Sequence, residues 1–405
     1  MPKYTGVHTQ IRRVHEERVL RELRESGPLT RANLGQRVGL SRTTLSEITA
    51  NLISRGAVVE IGHGPNEPAV GRGRPASLVA LQPTVGQAMG IDFRHHEVRL
   101  AVVNASHEVI ADHVRGYAES SSWTERAAAA AAATAEMTSA GGVRLGLLAG
   151  VGVGLPGPLE MGELGPGANS PRITAIRDAL SQHIDAPLIF DNNTRYAALG
   201  EATVDAQHSG GDVLFLRIAH GVGGGLVLGG RLTHGAAGRA GEIGHVVVVP
   251  NGRMCRCGKR GCLETVASLP SMVISARRKS PALRDLDSLR IALSRGDPDA
   301  MAVVEAAGTA VGTALAGASV VVDPARVIVS GDTTLIGDAF LRAAQAAFDR
   351  LARVGDEQPI RIMRGRAANA EGVLGAIAAV FHESTLLQGY PALLEDVTDQ
   401  REGTR

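Results

Sequence analysis

Aromatic side chains are scarce in this 405-residue chain, which has one Trp, four Tyr and six Phe. Because 44% of the residues are nonetheless hydrophobic, its cores must be built from Ala, Val, Leu and Ile. Long apolar runs are missing too. No stretch reaches the length of a membrane span, and the run from Ala127 to Ala133 reads as part of a helix. The N-terminus has no secretory pattern, so a soluble, cytoplasmic protein without a membrane partner is expected. Charge of one sign is not in excess either, since the net charge is +1. That balance hides an asymmetry. Residues 1–80 carry twelve Lys/Arg against seven Asp/Glu, an excess of five that leaves the remainder at −4. A basic head on a neutral or acidic body suggests a nucleic-acid partner. The length implies two or three packed units.

Cysteine is the scarcest chemically useful residue, and its placement is not random. All three, Cys255, Cys257 and Cys262, fall within eight positions, and His245 lies ten residues before the first. Thiolates and a neutral imidazole suit tetrahedral Zn²⁺. Four protein ligands leave no open position, so the expected zinc is structural, one per chain. A disulfide fits poorly: the count is odd, no secretory signal is present, and a Cys-x-Cys pair bridges with difficulty. The competing reading is three buried thiols beside a core histidine.

In the first eighty residues, Val19, Leu20 and Leu23 have helical spacing before Gly27-Pro28 stops the helix. A second helix starts at Thr30, a plausible N-cap, with Ala32, Leu34 and Val38 as its apolar stripe. Gly39 supplies the turn, and Ser41 caps a third helix that buries Leu45, Ile48, Leu52 and Ile53. This is a helix-turn-helix, whose second helix enters the major groove of double-stranded operator DNA. Arg31, Ser41, Arg42, Thr43, Thr44 and Ser46 are its candidate contacts. Strand-like runs at Val58–Ile61 and Ser77–Leu81 convert the otherwise all-α head into a winged form. Between them lies Gly-Arg-Gly-Arg-Pro, residues 71–75, which resembles an AT-hook. Arg72 and Arg74 would then lie along a narrow minor groove; as a plain linker they would only be solvated.

From Gly86 the texture becomes strand, glycine turn, helix, and it occurs twice, which argues an α/β body of two lobes with a cleft between them. The segment from Gly241 to Glu264 contains GEIGH, CRCG and GCLE, and is similar to the signature of the ROK family of sugar kinases and sugar-responsive repressors. GVGLPGP, ALGEA and HGVGGGLVLGGRL match further family segments, the last being its glycine-rich phosphate-side hairpin. The resemblance implies a two-lobed actin-like ATPase body (ribonuclease H-like). Its expected divisions are a DNA-binding head at residues 1–82, a first lobe at 83–200 completed by about 370–386, a second lobe at 201–369 and a tail at 387–405.

The resemblance also separates two groups of residues. Where family kinases have an aspartate followed by Gly-Gly-Thr for the ATP phosphates, this chain has Asp92-Phe93-Arg94-His95-His96. Where they have the Asn-Asp pair whose aspartate is the catalytic base, it has Asn192-Asn193, and an amide cannot accept that proton. Val329-Ser330-Gly331-Asp332 departs from the double glycine beside adenosine. These departures imply a protein that is not an enzyme. The sugar-facing set is retained: Asn169, Asn192, Glu242, His245 and Glu264 would line a hexose pocket, and Asn193 either joins them or fills the vacated position. One nitrogen of His245 would bind zinc while the other faces the ligand side. The expectation is a repressor of carbohydrate genes controlled by a sugar or sugar derivative, acting as a homodimer or dimer of dimers. The alternatives are an active sugar kinase with a DNA-binding head, and a repressor controlled by a protein partner.

Overall fold

The computed structural model describes residues 26–54, 58–62, 77–81, 87–104, 109–139, 148–159, 161–164, 168–204, 212–331, 337–352, 360–367 and 369–383, with isolated positions within 15–23 and 143–145.

In the head, β1 (Leu29–Thr30) leads directly into α1 (Arg31–Val38), whose N-terminus is capped by the Thr30 hydroxyl accepting from Asn33 N. Gly39 closes α1 in the left-handed conformation (φ 66°), where a side chain would be strained. Helix α2 (Arg42–Ser54) follows, then β2 (Val58–Ile61) and β3 (Leu78–Leu81). The three strands form an antiparallel sheet in the order β1-β3-β2. The head thus has the expected winged form, with β1 as a further strand that the sequence reading did not anticipate. A two-residue strand after Gly27-Pro28 is too short to show a period, and only pairing with β3 creates it. Leu34, Val38, Leu45, Ile48 and Leu52 close one core with Val19, Leu20 and Leu23 and with Val58, Val79 and Leu81 from the sheet.

The body contains two five-stranded sheets. The first is built from β4 (Gln87–Phe93), β5 (Glu97–Val103), β6 (Val109–Gly116), β7 (Leu148–Leu155) and β8 (Leu188–Asn192), in the order β6-β5-β4-β7-β8. The second comprises β9 (Val213–Ile218), β10 (Val222–Leu228), β11 (Arg231–Leu232), β12 (Arg326–Gly331) and β13 (Ile362–Arg364), in the order β11-β10-β9-β12-β13. Each joins an antiparallel hairpin to parallel strands, so the duplicated texture of the sequence is a duplicated sheet.

Helices α3 (Trp123–Ser139) and α4 (Pro171–Leu180) cover the outer face of the first sheet. Between the two sheets lie α5 (Asn193–Val204) and α11 (Glu371–Glu383), which share a core with Ala88 and Val103 on one side and Phe215 and Ile328 on the other. Their crossing is close enough that a Cβ on Gly375 would lie 1.6 Å from the Tyr196 carbonyl oxygen, so only glycine fits. On the far face of the second sheet lie α6 (Glu264–Ala267), α7 (Leu269–Lys279), α8 (Leu286–Ser294), α9 (Pro298–Val322) and α10 (Asp338–Leu351). By length and composition α9 could cross a membrane, contrary to the expectation that no run is long enough. Its Val303, Val304, Val311 and Leu315 are buried in the second lobe's core, so its apolarity is spent on packing.

Candidate functional site

A cleft of about 630 Å³ opens between the sheets. Its floor is the junction of β8 and α5. There the Asn192 side chain caps α5, its Oδ1 accepting from Thr194 N (2.8 Å) and Arg195 N (3.3 Å) while its Nδ2 donates to the Gly157 carbonyl (2.6 Å). Asn193 lines the same floor and donates from Nδ2 to the Phe93 carbonyl (2.9 Å). Its position is thus filled by an amide that does structural work an aspartate could not do. Asn193→Asp would leave two oxygens facing each other without a proton. It is expected to destabilise the protein by about 1–3 kcal/mol, read as a lower urea midpoint; an unchanged midpoint would show that this hydrogen bond contributes nothing.

The opposite wall carries Glu242 and Glu264. Glu264 accepts from Val222 N (3.2 Å) and forms a two-pronged pair with Arg256, Nε to Oε1 at 2.9 Å and Nη2 to Oε2 at 3.1 Å. Arg256 lies inside the cysteine motif, but sequence reasoning gave it no role. Asn169 is not brought to the cleft. It is exposed, and its Oδ1 accepts from the Thr174 hydroxyl at 3.3 Å. His245 does not line the cleft directly but reaches toward it, with Nε2 3.9 Å from Glu242 Oε2.

The other nitrogen of His245 points at the cysteines. Nδ1 is 3.6 Å from Cys255 Sγ, Cys257 Sγ is 3.5 Å from Cys262 Sγ, and the four donor atoms all lie within 4.8 Å of one another. Around a tetrahedral metal with bonds of ~2.3 Å, sulfurs stand roughly 3.8 Å apart, close to the observed spacing. Burial first, then the neighbouring thiols, pushes Cys262 up to about 12; a coordinated cation reverses this by deprotonating the thiol outright. Donor set and spacing fit a metal. The loop is tied at its base, with Val248 N and Val249 N donating to Gly261 O and Leu263 N to Val246 O. Glu242 and Glu264 therefore sit at the two ends of one clasp whose His/Cys3 centre could hold a metal ion.

The side of the cleft nearer α11 carries Arg94 and Arg217. Arg94 turns inward, Nε donating to the fully buried Asp92 at 2.7 Å and Nη2 to Asn369 O at 2.5 Å. Glu371, also fully buried, lies 4.0 Å from Arg94 and 3.7 Å from Arg217 on β9. Burial disfavours the Arg94 charge, but Asp92, Glu371 and Glu97 outweigh it, and its pKa is raised. Moving Arg94 away would strand the buried Asp92 and leave Glu371 with Arg217 alone, at a cost of about 3–5 kcal/mol. His95 and His96 occupy the rest of the turn between β4 and β5, and both are exposed or nearly so. Asp332 lies outside the described residues.

Sequence reasoning also missed a buried network beneath the floor. Asp191 pairs with Arg195 Nε (2.6 Å) and with His234 Nε2 (2.7 Å), and Arg195 Nη1 donates to Gly238 O at 2.7 Å. This fixes the loop that leads into Glu242. The i,i+4 spacing of Asp191 and Arg195 was its one visible signal.

In the head, Arg42, Thr43 and Ser46 are exposed along one face at the start of α2. The Ser41 hydroxyl accepts from Thr44 N (3.2 Å) and bonds the Thr44 hydroxyl (2.8 Å), so these two residues build the cap. Arg31 is drawn inward by an ion pair with Glu60 and by Thr49, and braces α1 against α2 and β2. Arg72 and Arg74 lie outside the described residues.

Head, duplicated sheets and cleft define a two-lobed sugar-kinase-like body joined to a winged helix-turn-helix. The chain belongs to the ROK family, whose profile matches residues 88–383, and residues 12–59 match a winged helix-turn-helix DNA-binding profile. A glucokinase of Halalkalibacterium halodurans is 33% identical over 248 residues, 56% of this chain and 74% of that protein. The xylose repressor of Caldicellulosiruptor bescii is 25% identical, but the likeness spans 93% of this chain and 98% of that one. Among solved structures, a ROK family transcriptional regulator described as a homologue of the E. coli MLC protein superposes with a TM-score of 0.73 at 22% identity, covering 94% of this chain and 98% of that one. This last likeness concerns fold alone.

Proposed function

We propose that this protein is a transcriptional repressor whose hold on operator DNA is set by a sugar or sugar derivative bound between the lobes, and that its body does not transfer phosphate. The observation that carries the reading is the contrast within one cleft. Hydroxyl-binding amides and carboxylates, Asn192, Asn193, Glu242 and Glu264, line one part, while in the other the Arg94 guanidinium is bonded to Asp92 beside Glu371. A pocket of this kind grips vicinal hydroxyls and rejects analogues that lack them. Asn193 in place of a carboxylate leaves no general base at that position.

Zinc is the metal this reading assigns to His245, Cys255, Cys257 and Cys262, because the donor set is soft and leaves no open position. It would brace the pocket and take no part in a reaction. A sugar that binds one arrangement of the lobes more tightly than the other would shift their equilibrium. In a two-fold dimer this would change the spacing of two recognition helices on a palindromic site. Likeness to a xylose repressor along nearly the whole chain supports this reading. The stronger local identity to a glucokinase favours the alternative of a kinase with a regulatory head.

The test is a gel-shift titration on oligonucleotides selected from a random pool, run with a panel of sugars and sugar phosphates and a parallel assay of ATP consumption. One sugar is expected to change DNA affinity at least about tenfold, a coupling of ~1.4 kcal/mol, with no sugar-dependent ATP loss. ATP turnover would establish the kinase. DNA binding indifferent to every sugar would point to a protein partner instead.

A further inference from the structure

The geometry points to a second divalent-metal site, formed by His95 and Glu119 of the first lobe and His220 of the second, and so spanning the cleft. His95 is on the turn between β4 and β5, Glu119 is on the turn after β6, and His220 is on the turn between β9 and β10. His95 Nδ1 is 3.6 Å and His220 Nε2 is 3.9 Å from Glu119 Oε1, the imidazole centroids are 4.4 Å apart, and one donor atom from each residue lies within 4.8 Å of the others. Ligands around a four-coordinate zinc at ~2.0–2.1 Å stand roughly 3.3 Å apart, so side-chain rotation closes the gap.

The turns that carry these three residues are held in place. Arg126 donates from Nη2 to Glu119 O (2.6 Å) and from Nε to Ser121 O (3.0 Å), while its guanidinium lies over the Tyr117 and Trp123 rings. Tyr117 N donates to His96 O at 2.8 Å and its hydroxyl to Arg94 O at 2.6 Å, locking the Glu119 turn to the His95 turn. In the second lobe, Ala219 N donates to Gly221 O (2.9 Å) and Leu269 N to Ala219 O (3.0 Å), which fixes the turn bearing His220.

Two imidazoles and one carboxylate select the borderline transition metals, Zn²⁺, Co²⁺ and Ni²⁺, over Mg²⁺ and Ca²⁺, which require more oxygens. Three protein ligands leave a coordination position for water or for a ligand oxygen. His95 and His220 line both the 630 Å³ cleft and the neighbouring cavity of about 670 Å³, so the ion would sit in the wall the two share. His95 lies in the turn that follows Asp92, and His220 opens the glycine-rich hairpin. In this chain the phosphate-handling turns of the two lobes have become a metal clip between them.

The experiment titrates Co²⁺ into full-length protein whose cysteine site is already saturated with Zn²⁺, followed by visible absorption and calorimetry. The expected result is one further Co²⁺ per chain, with weak visible bands and without intense thiolate-to-cobalt charge transfer. His95→Ala and His220→Ala should each weaken that binding at least about tenfold, and Glu119→Gln, an exposed change that spares the fold, should weaken it too. Absence of a further equivalent in the wild type, or a further equivalent that survives all three substitutions, overturns the site.

Discussion

Cys257→Ser is expected to remove the bound metal almost completely and with it the response to sugar, while the head continues to bind DNA. Cys257 is exposed, unlike Cys255 and Cys262, so exchanging sulfur for oxygen there costs little packing and the effect reports the metal. Three ligands of a four-ligand zinc site hold the ion much more weakly, and the ion's binding energy is part of what orders its loop. The consequence travels a short way. Glu242 is three residues before His245, and Glu264 is two after Cys262, at the start of α6. Loosening the clasp frees both carboxylates from the cleft wall, and sugar affinity should fall by about 10–100-fold. Metal content by atomic emission and sugar titration by calorimetry check the two halves separately. Full metal occupancy in the variant would remove the four-ligand assignment; lost metal with unchanged sugar affinity would show that the clasp does not brace the pocket.

The features legible in the sequence were those encoded by neighbours in the chain. The caps at Thr30 and Ser41, the glycine at 39 and the apolar stripe of α2 are local, and the helix-turn-helix follows from them. The grouping of His245 with the three cysteines was legible because Cys255, Cys257 and Cys262 share one loop, and His245 is joined to it through Val248, Val249 and Gly261. The Arg94 network was not legible, because Asn369 and Glu371 lie more than 270 residues away and meet Arg94 only when α11 packs on β4. Motif reading registered Arg94 as a bulky replacement for glycine. It could not tell that the side chain turns toward Asp92. Asn169 is the converse case: likeness to family members gives it a place in the pocket, while in the structure its side chain is exposed beside Thr174 and outside the cleft lining. The layered arrangement, with α5 and α11 between two sheets, depends on the close approach at Gly200 and Gly375, which no periodicity reports.

Arg42→Ala is expected to weaken operator binding by about 5–150-fold, the equivalent of ~1–3 kcal/mol for one good contact to a base edge. The argument begins at the turn. Gly39 in the left-handed conformation and the Ser41 cap set the direction in which α2 leaves α1. Leu45, Ile48 and Leu52 then fix its rotation by burial in the head's core. What remains outward at its N-terminus is Arg42, Thr43 and, one turn on, Ser46. Arg42 is the one cation in that first turn, and Arg31, the nearest competitor, is already paired with Glu60. Since Arg42 is exposed and outside the core, the substitution should leave the protein's unfolding free energy unchanged within about 0.5 kcal/mol. Salt dependence distinguishes the two kinds of contact. Loss of a phosphate contact lowers affinity evenly across sequences and reduces the slope of log K against log salt by about one. Loss of a base contact instead relaxes selectivity at one position of the site and leaves the slope unchanged. Equal affinity of wild type and variant for the selected oligonucleotides, at low and high salt alike, would mean that α2 does not present its N-terminus to DNA.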